Sequence, residues 1–257
     1  GPMCAPNIFR SSFSNWQPGY AAGVVAAQKG YKRAMTITWN YAAGAETVKG
    51  FKEAFEKGGG KVVKDLNLPF PNVEFQALLT QIAAEKPDVV FAFFAGAGAP
   101  KFIRDYDGAG LRKTIPLMGS GFLTDGVLEA AGPAAQGLIT ALHYGDEINT
   151  PRNTAFRNKF AVTYKLNPDV YAMQGYDAAQ MLLAGANAVK GDVTGKRDAL
   201  IAAMRKAQID SPRGKFTLSP QHNPTQDFYI REVKGNYNVV TGIAVKALAD
   251  PGRGCRM

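Results

Sequence analysis

Cysteine, histidine and tryptophan are scarce in these 257 residues, each occurring twice. Cys4 and Cys255 stand at opposite ends, without the CxxC spacing that zinc or dithiol chemistry uses, and two cysteines are too few for a disulfide framework. Either both are free thiols or they close one long loop, and the second case would suit an oxidising compartment. His143 and His222 lie far apart, with no carboxylate spacing around them that suggests a metal. No uninterrupted apolar run approaches the roughly 20 residues that cross a bilayer as a helix. The most apolar stretch, Asp88-Val89-Val90-Phe91-Ala92-Phe93-Phe94-Ala95, has the size of a strand. Repeats, low-complexity tracts, a P-loop, an HExxH pair and paired carboxylates are also missing. Ser120 in Gly119-Ser120-Gly121 does not complete a nucleophile elbow, because Met118 stands where the first glycine belongs. Gly96-Ala97-Gly98 follows a strand as a dinucleotide loop would, yet Lys101 replaces the third glycine. These absences leave no catalytic constellation, no metal site and no cofactor loop, and the chain reads as non-enzymatic.

What is present is ordinary globular material: 46% hydrophobic, 20% charged and 11% aromatic residues, enough for a substantial core in one large domain or two modest ones. The net charge of +9 would suit nucleic acid only if gathered on one face. Lysine and arginine are instead scattered, with pairs at Lys32-Arg33, Arg112-Lys113, Lys196-Arg197 and Arg205-Lys206, and no nucleic-acid-binding signature accompanies them. The charge therefore describes a solubilising surface or one that favours an anionic solute. Gly1-Pro2 before Met3 reads as the scar of a cleaved tag and is set aside.

Along the chain, short β-branched or aromatic runs alternate with longer helical stretches, the pattern of a parallel sheet flanked by helices. Strands are expected at Ile8–Ser11, Ala34–Trp39, Lys61–Asn67, Asp88–Phe94, Ile115–Gly119 and Gly137–Leu142. Helices are expected at Pro18–Lys29, Gly44–Lys57, Phe75–Glu85, Pro100–Ala109 and Thr124–Ala130. After about residue 145 the grammar changes. Three successive helices, Thr150–Tyr164, Val170–Val189 and Gly195–Lys206, lead to antiparallel strands at Gly214–Leu218, Asp227–Val233 and Tyr237–Val245. Thr150-Pro151 supplies an N-cap followed by proline at the first helical position, and Gly235-Asn236 a two-residue hairpin turn.

In a parallel α/β sheet, ligands sit beyond the carboxyl ends of the strands, where loops feed helix N-termini. Those ends carry Phe13, Ser14, Asn15 and Trp16, then Asn40 and Tyr41, then Phe93, Phe94, Ala95 and Gly96, then Ser120, Gly121 and Phe122. Aromatic rings alternate there with small residues and a few neutral donors. Rings make the walls of a small-molecule pocket, small residues let a ligand approach the backbone, and N–H groups at helix starts favour a carboxylate. At least one of Phe91 and Phe93 belongs to the core, whereas Trp16 and Tyr41, in loops beside turn-formers, are read as site residues.

The run Asn7-Ile8-Phe9-Arg10-Ser11-Ser12, the loop Asn40-Tyr41-Ala42-Ala43-Gly44, the pair Lys86-Pro87-Asp88, the run Gln174-Gly175-Tyr176-Asp177-Ala178-Ala179 and the turn Pro212-Arg213-Gly214 resemble type I periplasmic solute-binding proteins. The resemblance covers essentially the whole chain and is to the leucine/isoleucine/valine-binding branch, the branched-chain amino-acid ABC transporter receptors. It implies an α/β fold of two lobes joined by hinge strands, with ligand captured in an interlobe cleft by hinge closure. Residues 1–9 would be the tag scar and hinge entry and 10–141 a complete α/β lobe; 142–225 would be a partial, mainly helical other lobe, and 226–257 the returning strands and tail. The family's opening segment is expected to be absent, which makes this a truncated receptor, either one that buries the face left behind in a homodimer, the expectation here, or a refolded minimal version.

By the same resemblance, Tyr41 matches the family's cleft tyrosine, and Asn15 holds the place of a polar ligand contact that is often acidic. Ala95 and Gly96 lie where another aromatic is common, and Ser120-Gly121-Phe122 where an acid that meets a ligand ammonium is common. Neutral residues at both acidic places argue against an amino-acid zwitterion. With Trp16, Phe93, Phe122 and the basic balance, they favour an aromatic or aliphatic carboxylate. The resemblance further implies a membrane permease as partner, a periplasmic location, no cofactor, and a disulfide between Cys4 and Cys255, which would meet beside the crossing strands. A sensory domain of the same fold, or a small α/β enzyme, are the competing readings.

Overall fold

The expected alternation builds a parallel sheet in the computed structural model of the protein, which describes residues 3–257 and so leaves the tag reading of Gly1-Pro2 outside the described residues. The parallel strands are β1 (Arg33–Trp39), β2 (Lys61–Leu68), β3 (Val89–Phe93), β4 (Leu117–Ser120) and β5 (Ile139–Leu142). Later come β6 (Thr217–Leu218), β7 (Pro224–Lys234) and β8 (Tyr237–Leu248), in the spatial order β2-β1-β3-β4-β5-β7-β6 with β8 beside β7. The helices are α1 (Trp16–Gln28), α2 (Ala42–Lys57), α3 (Gln76–Glu85), α4 (Gly98–Gly108), α5 (Leu128–Ala131), α6 (Pro151–Tyr164), α7 (Val170–Ala188) and α8 (Arg197–Lys206). No helix among the described residues is long and apolar enough to cross a membrane.

The chain divides into two compact units. One comprises Asn15–Glu147 and Phe228–Val245, the other, among the described residues, 3–14, Ile148–Asp227 and Lys246–Met257. In the first, β3 is buried at every position, as a strand covered on both faces must be. Phe91 stacks on Phe51 of α2 at 4.3 Å between centroids, while Phe94, just past the strand, packs against Phe75 and Phe102. Helices α1 and α2 approach so closely that a Cβ on Gly50 would lie 2.2 Å from the Trp16 carbonyl oxygen, which explains glycine there. The segment Tyr229–Glu232 of β7 runs antiparallel to β5 and closes that side of the sheet.

In the second unit, α6 opens as expected: the Thr150 hydroxyl accepts the Asn153 N–H at 3.1 Å ahead of Pro151. Asp169 caps α7 in the same way, accepting from Ala172 at 2.8 Å. Cys4 and Cys255 form a disulfide, with Cα atoms 5.6 Å apart.

Some boundaries differ from the expectation. Ile8–Ser11 is not a strand. It has β-forming residues but no ladder to join, and it is held instead by the Arg10 N–H to the His222 carbonyl at 3.1 Å and by Phe9 stacked on His222. Thr124–Ala130 is not one helix: a 3-10 turn covers Gly121–Leu123 and α5 starts only at Leu128, with Gly126 at φ +70° between them. Of Gly214–Leu218, only Thr217–Leu218 pairs, against Thr225 and Pro224 of β7.

Candidate functional site

In the unit built on β1 to β5, the carboxyl ends of β1, β2, β3 and β4 bring four rings into a row. Tyr41, the residue before α2, stacks between Phe70 at 5.4 Å and Phe93 at 6.1 Å, with interplanar angles of 22° and 27°. Phe93 then meets Phe122 edge-on at 5.7 Å. Trp39 forms the base, edge-on to Phe70 and Phe94, with its indole N–H donated to the Asn72 carbonyl at 2.7 Å. Such offset and edge contacts add to burial in holding an aromatic wall.

The backbone beside this wall is open. Gly96 takes φ +54°, which turns the chain from Ala95 into α4. At Gly98 a Cβ would lie 2.4 Å from the Trp39 ring, so the first turn of α4 can lie on that ring only as glycine. Neither α2 nor α4 has a side-chain cap, and neither carries an acid in its first turn. Their first N–H groups thus present positive potential with no carboxylate already in place. Burial raises the pKa of the Tyr41 phenol, which keeps it a neutral donor at physiological pH. Walls of this kind, with N–H and O–H donors and no acid, suit a flat ligand that ends in an anionic group.

The candidate residues do not all share one role. Tyr41, Ala95 and Phe122 are half-buried and Gly96 is exposed, so these carry the accessible surface. Phe93 is buried and supports Tyr41 and Phe122 from behind. Ser120 is fully buried, and its hydroxyl has no hydrogen-bond partner among the described residues. Gly121 is held against Leu142, where a Cβ would come within 2.6 Å. Asn15 and Trp16 begin α1 without the preceding strand that was expected to aim them. Trp16 is buried, tilts against Tyr20 at 4.6 Å and donates its indole N–H to Glu53 at 2.8 Å, so it seals α1 on α2.

Sequence reasoning missed Phe70, which is 59% exposed and stacks on Tyr41. The signal was there, since Pro69-Phe70 follows directly on β2, whose carboxyl end belongs to the same edge. His143 is buried beside Phe228 and His222 stacks on Phe9, both in structural settings. Among the described residues, no group of three or more histidine, cysteine and acidic side chains is arranged to hold a metal.

Comparison with known proteins gives a consistent set. Residues 1–238 match the family model described as periplasmic binding protein. A solute-binding protein of an ABC transporter from R. palustris, solved in complex with benzoate, is 54% identical; the match covers 100% of this chain and 70% of that one, with a TM-score of 0.94. A second, from Rhodopseudomonas palustris BisB5 in complex with 3,4-dihydroxybenzoic acid, is 31% identical over 97% of this chain and 70% of that one, with a TM-score of 0.88. The curated Leu/Ile/Val-binding protein homolog 6 of Brucella melitensis is 29% identical over 237 residues, 89% of this chain. The chain spans 60% of the length of that relative.

Proposed function

This chain belongs to the periplasmic binding protein family, and from that membership we propose that it is the solute-binding receptor of an ABC uptake transporter that takes an aromatic carboxylate. It works in the periplasm, binds without turnover and hands its ligand to a membrane permease. The observation that carries the reading is the 54% identity, over the whole chain, with a receptor crystallised with benzoate. The row Phe70, Tyr41, Phe93 and Phe122 supports it, because it offers the accessible aromatic surface of Phe70, Tyr41 and Phe122 with Phe93 packed behind them. The uncapped starts of α2 and α4 supply N–H groups for the carboxylate. Asn15 and Ser120 stand where amino-acid receptors of the leucine/isoleucine/valine branch often carry acids, and their neutrality favours a carboxylate over an amino-acid zwitterion.

The test is thermal denaturation and calorimetry with benzoate, 4-hydroxybenzoate, 3,4-dihydroxybenzoate and leucine. A benzoate-class ligand at 100 times its Kd is expected to add about 2.7 kcal/mol of stability. Tyr41→Ala should weaken binding by about tenfold or more, as the loss of a central aromatic anchor does. A response to leucine alone, or to no compound at millimolar concentration, would overturn the reading.

Self-association belongs to the same proposal. In the unit that holds α6 and α7, Val162, Tyr164, Leu166, Leu182 and Leu183 are exposed, an apolar content that suits contact with a second copy. The expected mass in solution is that of a dimer, and Leu182→Glu with Leu183→Glu should reduce it to a monomer. A monomeric parent at tens of micromolar would end this part of the proposal.

A further inference from the structure

Arg231 lies on β7 at 1% exposure, and a buried guanidinium is tolerated only where its donors are matched. Its partners are unusually concentrated. Nη2 donates to the Asp125 carboxylate at 2.7 Å, to the Gly121 carbonyl at 3.3 Å and to the Thr124 hydroxyl at 3.3 Å. Nε and Nη2 reach the Thr140 hydroxyl on β5 at 3.2 and 3.0 Å, and Nη1 reaches the Tyr144 carbonyl at 3.1 Å. One side chain therefore ties the loop after β4 to β5 and to the segment that follows β5.

That loop has little structure of its own. It is a single 3-10 turn, Gly121–Leu123, with Thr124 and Asp125 both donating their N–H groups to the Gly121 carbonyl at 3.1 and 3.0 Å. It then leaves through Gly126 at φ +70°. Phe122, the end of the aromatic row, rides on this turn. Three of the acceptors of this cation, Gly121, Thr124 and Asp125, belong to the turn itself.

We infer that Arg231, paired with Asp125, is the positioning residue of the binding wall: it fixes the Gly121–Asp125 turn so that Phe122 stands edge-on to Phe93, and ligand affinity depends on it. This rests on the reading of the aromatic row as the ligand site. Outer partners that orient a binding group are worth about tenfold or more in affinity where they have been measured at metal sites, and the same order is expected here.

The experiment pairs benzoate affinity by calorimetry with amide hydrogen exchange over residues 121–125, at a temperature where circular dichroism shows each variant folded. Asp125→Asn keeps the shape and removes the charge. It is expected to weaken benzoate binding about tenfold and to speed exchange in the turn. Ile82→Val, a core change in α3, should lower the Tm and leave both readouts alone. If Asp125→Asn does not fold, the double replacement Arg231→Met with Asp125→Leu removes both charges and is expected to show the same loss of affinity. A variant that binds within about twofold of the parent, with exchange unchanged, overturns the inference. A parent that binds no benzoate overturns the functional reading instead, and exchange in the turn then decides the clamp by itself: unchanged rates in Asp125→Asn would sink it.

Discussion

Replacing Arg213 by methionine is expected to lower the unfolding free energy at neutral pH by about 3–5 kcal/mol, the cost of removing one partner from a buried ion pair. Arg213 and Asp177 are 3% and 0% exposed, with Nη2 3.0 Å from Oδ2. Ser211 donates to the same carboxylate oxygen at 2.7 Å, and Arg213 also donates to Gln226 at 2.7 Å and lies over the Phe216 ring at 4.0 Å. Gln226 in turn donates to the Ser12 carbonyl at 2.8 Å. The group thus joins α7, the Ser211–Arg213 turn, the start of β7 and the N-terminal segment. Removing Arg213 leaves a carboxylate buried with its main counter-charge gone.

The pH dependence gives this prediction a sign. Burial already raises the Asp177 pKa, with Arg213 and the Ser211 hydroxyl opposing the rise. Without Arg213 the pKa climbs further. A carboxyl raised in the folded state contributes stability that is full below its unfolded pKa and lost as pH rises through the folded value. The deficit of Arg213→Met should therefore shrink as the pH is lowered, because the buried Asp177 of the folded variant takes up its proton at a pH above the ordinary carboxylate range. Asp177→Leu with Arg213→Met should be more stable than Arg213→Met alone, since no charge is stranded. Urea unfolding followed by circular dichroism measures all of this, and a single variant within about 1 kcal/mol of the parent at pH 7 would show that the pair does not hold this unit.

Much of the frame could be read before the structure, because it depends on local pattern. The run expected as Lys61–Asn67 became β2, Lys61–Leu68, and the helix expected over Val170–Val189 became α7, Val170–Ala188. Ile8–Ser11 shows the limit of such reading: Ile8 and Phe9 have strand propensity, yet a strand exists only where a neighbour supplies its ladder. The aromatic row divides in the same way. That Tyr41, Phe93 and Phe122 gather on one edge was legible because, as a rule of topology, the strands of a parallel sheet share a carboxyl edge. Phe70 obeys that rule too and was passed over. Arg231 was not legible at all. It sits in the strand run Phe228-Tyr229-Ile230-Arg231-Glu232-Val233, where an arginine reads as a solvent-facing residue, and its partners Asp125, Thr140 and Tyr144 are 106, 91 and 87 positions away. Only the folded chain shows that this arginine points into the protein.

Replacing Cys4 and Cys255 together by serine is expected to cost about 5.5 kcal/mol, because the loop they close is among the longest the chain allows. The two residues are 251 positions apart, and in the chain-entropy account the restriction on the unfolded ensemble grows with the logarithm of that length. The native ends do not depend on the bond alone. Arg10 donates to the Asn223 side chain, Asn223 donates to Asp250 at 3.1 Å, and Asp250 also accepts the Gly252 N–H at 2.7 Å. Both termini are therefore fastened to the same turn at His222-Asn223, and the serine variant should fold to the same native arrangement. What changes is the unfolded chain, which expands once the link is gone, so the urea midpoint should fall while the m-value rises. Benzoate affinity, measured well below the Tm, should stay within about twofold of the parent, because Cys4 and Cys255 are not members of the aromatic row. Reduction of the parent by dithiothreitol should reproduce the shift. A serine variant with an unchanged midpoint, or two titratable thiols in the native parent, would contradict the prediction. A large loss on reduction would match a receptor that works in an oxidising compartment such as the periplasm.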